Sequence, residues 1–127
     1  MKELWRLPVV PSAIYLGPEI SVLPKRTVKL KFSTECAKGG IVESALHFEG
    51  VEAYRCTYAT SLSADMINLS YGALVALDSK WLEAVRTTGR KQNVDELFHA
   101  MMTFDDGPCY EIICRSWNIR GHFAAQS

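Results

Sequence analysis

The sequence predicts a mostly β domain of the α+β class, an antiparallel β-sandwich or partly closed barrel of about seven to nine short strands with one short helix near residues 80–88. Three observations carry that prediction. Apolar and polar residues alternate with period two in several stretches, the pattern of a half-buried strand. Clusters of Gly, Pro and Asp punctuate those stretches at short intervals. The strands also follow one another without regularly intervening helices, which favours antiparallel pairing over βαβ units.

Length and composition bound the rest. A chain of 127 residues fits one domain, 1–127, and folding at that size buries roughly two-thirds of the surface the unfolded chain exposes. An apolar fraction of 48% and a charged fraction of 22% are those of an ordinary globular chain. The 14 basic and 14 acidic residues balance, so the basic excess of a nucleic-acid binder is missing and no nucleic-acid partner is expected. Two local basic groups, Lys25-Arg26 with Lys29 and Lys31, and Arg86 with Arg90 and Lys91, read as solvated charge, the second at a helix end where cations are favoured. No apolar run reaches the ~18 residues of a membrane span, and the start of the chain lacks the apolar core of an export signal. The expectation is a cytoplasmic protein with no membrane partner. Cys36, Cys56, Cys109 and Cys114 form no C-x-x-C pair, so free thiols and no structural metal are expected.

Taken in order, the first 25 residues hold Pro8, Pro11, Pro18 and Pro24, and proline suits edges and turns. Extended pieces at 13–16 and 20–23 flank a turn at Gly17-Pro18. The clearest strand is 27–32, where Val28, Leu30 and Phe32 alternate with Lys29 and Lys31; Gly39-Gly40 ends the pattern beyond it. Stretches 41–48 and 51–58 flank Glu49-Gly50 and read as a hairpin, with Phe48 opposite Val51 and His47 opposite Glu52. A connection follows, with a helical turn near 64–67, and then a strand at 71–77. Asp78 or Ser79 caps the helix of 80–88; Trp81, Leu82 and Val85 share its apolar face, and Gly89 suits the position beyond its end. Residues 93–96 imitate a helix start, yet Phe98, Ala100, Met102 and Phe104 alternate strictly with His99, Met101 and Thr103, so 97–104 is read as a strand. Asp105-Asp106-Gly107-Pro108 marks a turn. Residues 110–119 continue as a strand that is apolar on both faces, the mark of a central position, and the tail from 121 onward is expected to fray.

Few motifs carry chemistry. Walker A, the dinucleotide fingerprint, the nucleophile elbow, the zincin helix and the EF-hand loop do not occur. A tight turn centred on Asp106-Gly107 would set Phe104 opposite Cys109 and His99 opposite Cys114, bringing a thiol beside an imidazole, the first half of a nucleophilic dyad. A one-residue slip would put the two on opposite faces. Asp105, Asp106 and Glu111, with His99 or His122, are of the types that ligate a hard cation. Adjacent turn aspartates commonly bond their own backbone, so no metal site and no cofactor are expected. Among the aromatics, Trp5 and Trp117 fall outside the core patterns and Tyr54 and Tyr58 share one strand face, making these four the candidate binding residues.

Residues Leu74-Val75-Ala76-Leu77-Asp78-Ser79-Lys80-Trp81-Leu82, and His99 followed by Phe104-Asp105-Asp106-Gly107-Pro108-Cys109-Tyr110-Glu111, together resemble a pattern in small uncharacterised bacterial single-domain proteins. The resemblance implies a bacterial source and a domain of unknown function, and it brings no catalytic residue with it. The function expected from the residues is a binding or protein-interaction module, with a protein partner or a homo-oligomer as its assembly, and not an enzyme. The alternative is a small enzyme or small-ligand binder with a pocket near His99, Glu111 and Cys114.

Overall fold

The computed structural model describes residues 1–9, 11–35, 38–58, 62–88, 96–105, 108–121 and 123, apart from the side chains at 12, 15 and 16. Among them run nine strands and two α-helices, in the order β1 (Lys2–Arg6), β2 (Ile14–Leu23), β3 (Thr27–Glu35), β4 (Ile41–Glu49), β5 (Ala53–Tyr58), α1 (Ala64–Ser70), β6 (Ala73–Leu77), α2 (Lys80–Thr88), β7 (Phe98–Thr103), β8 (Pro108–Cys114) and β9 (Ser116–Gly121). They form a five-stranded sheet, β1-β6-β7-β8-β5, and a four-stranded sheet, β2-β3-β4-β9. Every strand pair is antiparallel. The expected sandwich is therefore the architecture, with α1 in addition to the expected helix.

Alternation builds the space between the sheets. Val28, Leu30 and Phe32 of β3 and Leu46 and Phe48 of β4 face Leu74, Ala100, Met102, Ile112 and Cys114 of the other sheet in one buried cluster. Burying each large side chain contributes roughly 1.5–3 kcal/mol. Much of the outer face of the five-stranded sheet is buried and apolar as well, because helices cover it. Met66 of α1 packs on Ala73, Val75, Met101 and Cys109. Leu82 of α2 joins Leu97 and Ile113, with Trp81 and Val85 alongside. β7 and β8 are thus buried on both faces, as the double-faced apolar pattern predicted for β8.

Several local expectations change. Gly17-Pro18 is no turn; it lies inside β2, where two register shifts against β3 kink a single strand. The turn comes later, and Lys25 and Arg26 both adopt positive φ there (63° and 58°). Leu23 pairs with Thr27, so the loop of this hairpin is the three residues Pro24, Lys25 and Arg26.

The hairpin expected about Gly50 does not form. β4 pairs with β3 and β9, and β5 pairs with β8. Gly50 (φ 64°) bends one chain from the four-stranded sheet into the five-stranded sheet. The neighbouring chain makes the reverse crossing at Arg115, between β8 and β9, so the expected strand of 110–119 is two strands. The two crossings touch, with Arg115 N–H donating to the Glu49 carbonyl at 3.0 Å and Glu52 N–H donating to the Ile113 carbonyl at 2.9 Å. β4-β5 and β8-β9 thus form one antiparallel ribbon folded over a corner, and the register slips by one residue at the bend, a known way for strands to change sheets.

The proposed end of α2 at Gly89, the helix-start imitation over 93–95 and the turn at Asp106-Gly107 lie outside the described residues, as do Cys36, His122 and nearly all of the tail. No helix of the described residues is long and apolar enough to cross a membrane.

Candidate functional site

The polar centre of the molecule lies on the outer face of the five-stranded sheet, beneath α2. β7 and β8 pair with Met101 opposite Glu111 and His99 opposite Ile113. Side chains alternate between faces, so His99 and Glu111 emerge on the same face as diagonal neighbours. β5 then sets Arg55 directly opposite Glu111. His99 and Glu111 are each 1% exposed, and Arg55 reaches in from the rim.

Glu111 is held on three sides. Arg55 donates Nε–H to Oε2 (2.8 Å) and Nη2–H to Oε1 (3.1 Å), the two-pronged geometry that suits a guanidinium to a carboxylate. His99 Nε2 lies 2.9 Å from Oε1. Burial alone would raise the carboxyl pKa, but the hydrogen bonds from His99 and Arg55, the guanidinium charge and the charge of the imidazole when it is protonated outweigh it and hold the group down at about 2. Glu111 is therefore ionised at neutral pH and can only accept hydrogen bonds. That fixes its neighbour: His99 Nε2 carries a proton and donates it to Glu111.

The other ring nitrogen, Nδ1, lies 2.8 Å from the Ser79 hydroxyl. In the uncharged ring with Nε2 protonated, Nδ1 has a lone pair and no hydrogen, so the Ser79 O–H donates to it. Ser79 is also the cap of α2, accepting the Leu82 amide at 3.0 Å. Trp81, two residues on, closes the lid, its ring edge-on to His99 (centroids 5.1 Å apart, 88° between planes) with the Arg55 guanidinium 4.1 Å over its face. The result is a carboxylate–imidazole–hydroxyl chain from a buried glutamate to a serine that borders a broad open hollow of about 650 Å³, lined by Asp78, Ser79, Lys80, Glu83, Ala84 and Thr87.

The structure unites two of the three residues expected to share a pocket and separates the third. Cys114 lies opposite Phe98, not His99, and its side chain points into the space between the sheets. Burial pushes its thiol up to about 12 and, for the same leading reason, that of Cys109 to about 11. The Cys114–His99 dyad is thus overturned by a one-residue difference in register, which also sets Thr103, not Phe104, opposite Cys109. Of the carboxylates near the last turn, Asp105 accepts the Tyr71 hydroxyl at 2.7 Å, and the described residues contain no cluster of three metal-ligating side chains.

The four aromatic candidates divide. Trp5 packs beside Phe32 and Phe123, with centroids 6.5 and 6.4 Å away, and Trp117 lies against the same core. Tyr54 and Tyr58 stand out at 47% and 65% exposure on the edge strand β5. A hollow of about 340 Å³ opens beside Tyr54, lined by Val22, Val28 and Val51 among others, and it does not border His99 or Glu111.

Sequence reasoning missed Ser79 as anything beyond a helix cap, and it missed Arg55 altogether. No local pattern joins residues that meet only when β5, α2, β7 and β8 assemble. Comparison with known proteins adds no assignment: no family model, no curated protein and no solved structure matches this chain.

Proposed function

We propose that this chain is a small hydrolytic enzyme for acyl substrates, with Ser79 as nucleophile, His99 as general base and Glu111 as the group that orients and steadies the imidazole. One observation carries this reading: the chain Glu111–His99–Ser79 is unbroken, with contacts of 2.9 and 2.8 Å, and ends on a residue that borders an open hollow. Nucleophile, base and orienter in mutual hydrogen-bond reach are the geometry such chemistry requires.

His99 Nδ1 takes the hydroxyl proton as Ser79 Oγ attacks the substrate carbonyl carbon. Glu111 stabilises the imidazolium that forms. The Leu82 amide is engaged by Ser79 itself, so the amides of Lys80 and Trp81, the first of α2, supply the donors for the developing oxyanion. His99 returns the proton to the leaving group, and a water activated by the same base releases the acyl group from Ser79. A broad, shallow hollow suits an acyl group borne on a larger molecule rather than one engulfed whole. Arg55 neutralises part of the Glu111 charge, which makes this a weaker base system than one with an unpaired carboxylate.

The test is labelling by a fluorophosphonate, with the adduct mapped by mass spectrometry, in the wild type, Ser79→Ala and Ser79→Asn. Asn keeps a helix cap where Ala loses about 1 kcal/mol, so a folded Ser79→Asn control separates chemistry from stability. Labelling of Ser79 in the wild type, absent from both variants, is the expected result. An unlabelled wild type, or an adduct retained by Ser79→Asn, would refute the reading. The interaction-module reading keeps its own support in the exposed Tyr54 and Tyr58.

A further inference from the structure

Among the described residues the sandwich has four sheet edges: β1, β5, β2 and β9. An unpaired strand edge invites another strand unless something blunts it. β1 is interrupted by a register shift between Glu3 and Trp5 and carries Lys2, Glu3 and Arg6. β2 is interrupted twice around Gly17-Pro18. β9 presents no large exposed apolar side chain. β5 differs from all three. Its pairing with β8 runs without a shift from Ala53 to Tyr58, it contains no proline, and it exposes Tyr54 and Tyr58.

We propose that β5 is a self-association edge, to which a second copy of this chain adds its own β5 antiparallel, with the two-fold axis passing through Cys56. Symmetry fixes the register. Two antiparallel edge strands related by a two-fold axis perpendicular to the sheet keep their faces, so a residue must lie on the axis. For a strand of six residues, Ala53–Tyr58, the greatest overlap this allows is five residues, with Arg55 or Cys56 facing its own copy. An axis at Arg55 sets two guanidinium-bearing residues directly opposite each other, which is unfavourable. An axis at Cys56 sets Tyr54 opposite the second copy's Tyr58 twice over, and Arg55 opposite Thr57, with no like charges facing. Aromatic pairs directly across two strands are favourable. The second copy's Tyr58 also comes beside Tyr54, at the mouth of the hollow lined by Val22, Val28 and Val51.

Size sets the strength. Taking about 200 Å² for a whole tyrosine, the exposed parts of the four rings amount to about 450 Å². With the strand backbones and the exposed Val22 and Leu23 added, the contact stays near or below the ~1,000 Å² of a stable interface. The dimer is therefore weak and reversible.

Sedimentation equilibrium at high micromolar concentration tests this, paired with oxidation by copper–phenanthroline. The expected result is a reversible monomer–dimer equilibrium in the wild type and a disulfide mapped to Cys56–Cys56, since opposed β-carbons lie about 5 Å apart and Cys56 is exposed. Cys56→Ser keeps the equilibrium and loses the cross-link, and Tyr58→Lys abolishes both. A wild type that stays monomeric, a cross-link that maps elsewhere, or a dimer indifferent to Tyr58→Lys would overturn the proposal. A monomer that instead binds an unrelated extended peptide along β5 would also count against a second copy as the occupant.

Discussion

Replacing Glu111 with Gln removes the charge that Arg55 and His99 share while keeping the size of the side chain. Breaking one partner out of a buried ion pair costs about 3–5 kcal/mol. Here the lower end applies, because Arg55, 47% exposed at its side chain, can turn to water when its carboxylate is lost. The pKa gives an independent figure. The carboxyl falls from 4.5 to about 2, and at 1.36 kcal/mol per unit that is roughly 3 kcal/mol. For a domain of this length about 4 °C of melting temperature accompanies each kcal/mol, so Glu111→Gln should melt about 12 °C below the wild type. The sign with pH follows from linkage. A depressed carboxyl pKa stabilises the folded state above the unfolded value near 4.5, and that stability is lost as pH falls toward about 2. Urea titrations followed by tryptophan fluorescence at a series of pH values measure both effects. The gap between the two proteins should be widest near neutrality and close toward pH 2. A variant within about 1 kcal/mol of the wild type, or a gap that does not change with pH, would refute the argument that this carboxylate is ionised and held by its partners.

Two further outcomes follow from burial and backbone. Native protein treated with iodoacetamide should alkylate Cys56, while Cys109 and Cys114 react only after unfolding, since burial holds their thiols at about 11 and 12; rapid native labelling of Cys114 would show that the sheets do not enclose it. Gly17→Ala should destabilise by more than about 1 kcal/mol, because φ there is +97° and a β-carbon would lie 2.8 Å from the Lys31 carbonyl oxygen; a melting temperature unchanged by the substitution would contradict the kink described for β2.

What the sequence disclosed follows from how local each signal is. Val28, Leu30 and Phe32 announce β3 because alternation records one dry and one wet face, and all three are buried. The helix of 80–88 was legible because Ser79 and the Trp81-Leu82-Val85 stripe mark its start and its buried face within ten residues. Gly50 misled because a glycine with positive φ serves a bend between sheets as well as a hairpin. The pairing of β7 with β8 was legible and its register was not. One residue of slip changes the opposite number of His99 from Cys114 to Ile113, and turns a thiol–imidazole pair into an imidazole–carboxylate pair. Arg55 could not have been found from its neighbours in sequence, since the partner that explains it lies 56 positions away.

The account depends most on which nitrogen of His99 bears the proton, because only a bare Nδ1 can take the Ser79 hydrogen. A two-bond nitrogen–proton correlation spectrum of the imidazole rings, assigned with Ser79→Ala, reads this directly. The account requires His99 at neutral pH to be protonated at Nε2, with a free Nδ1 whose shift changes when Ser79 is removed. A proton found on Nδ1 instead, or a ring indifferent to Ser79, would contradict it.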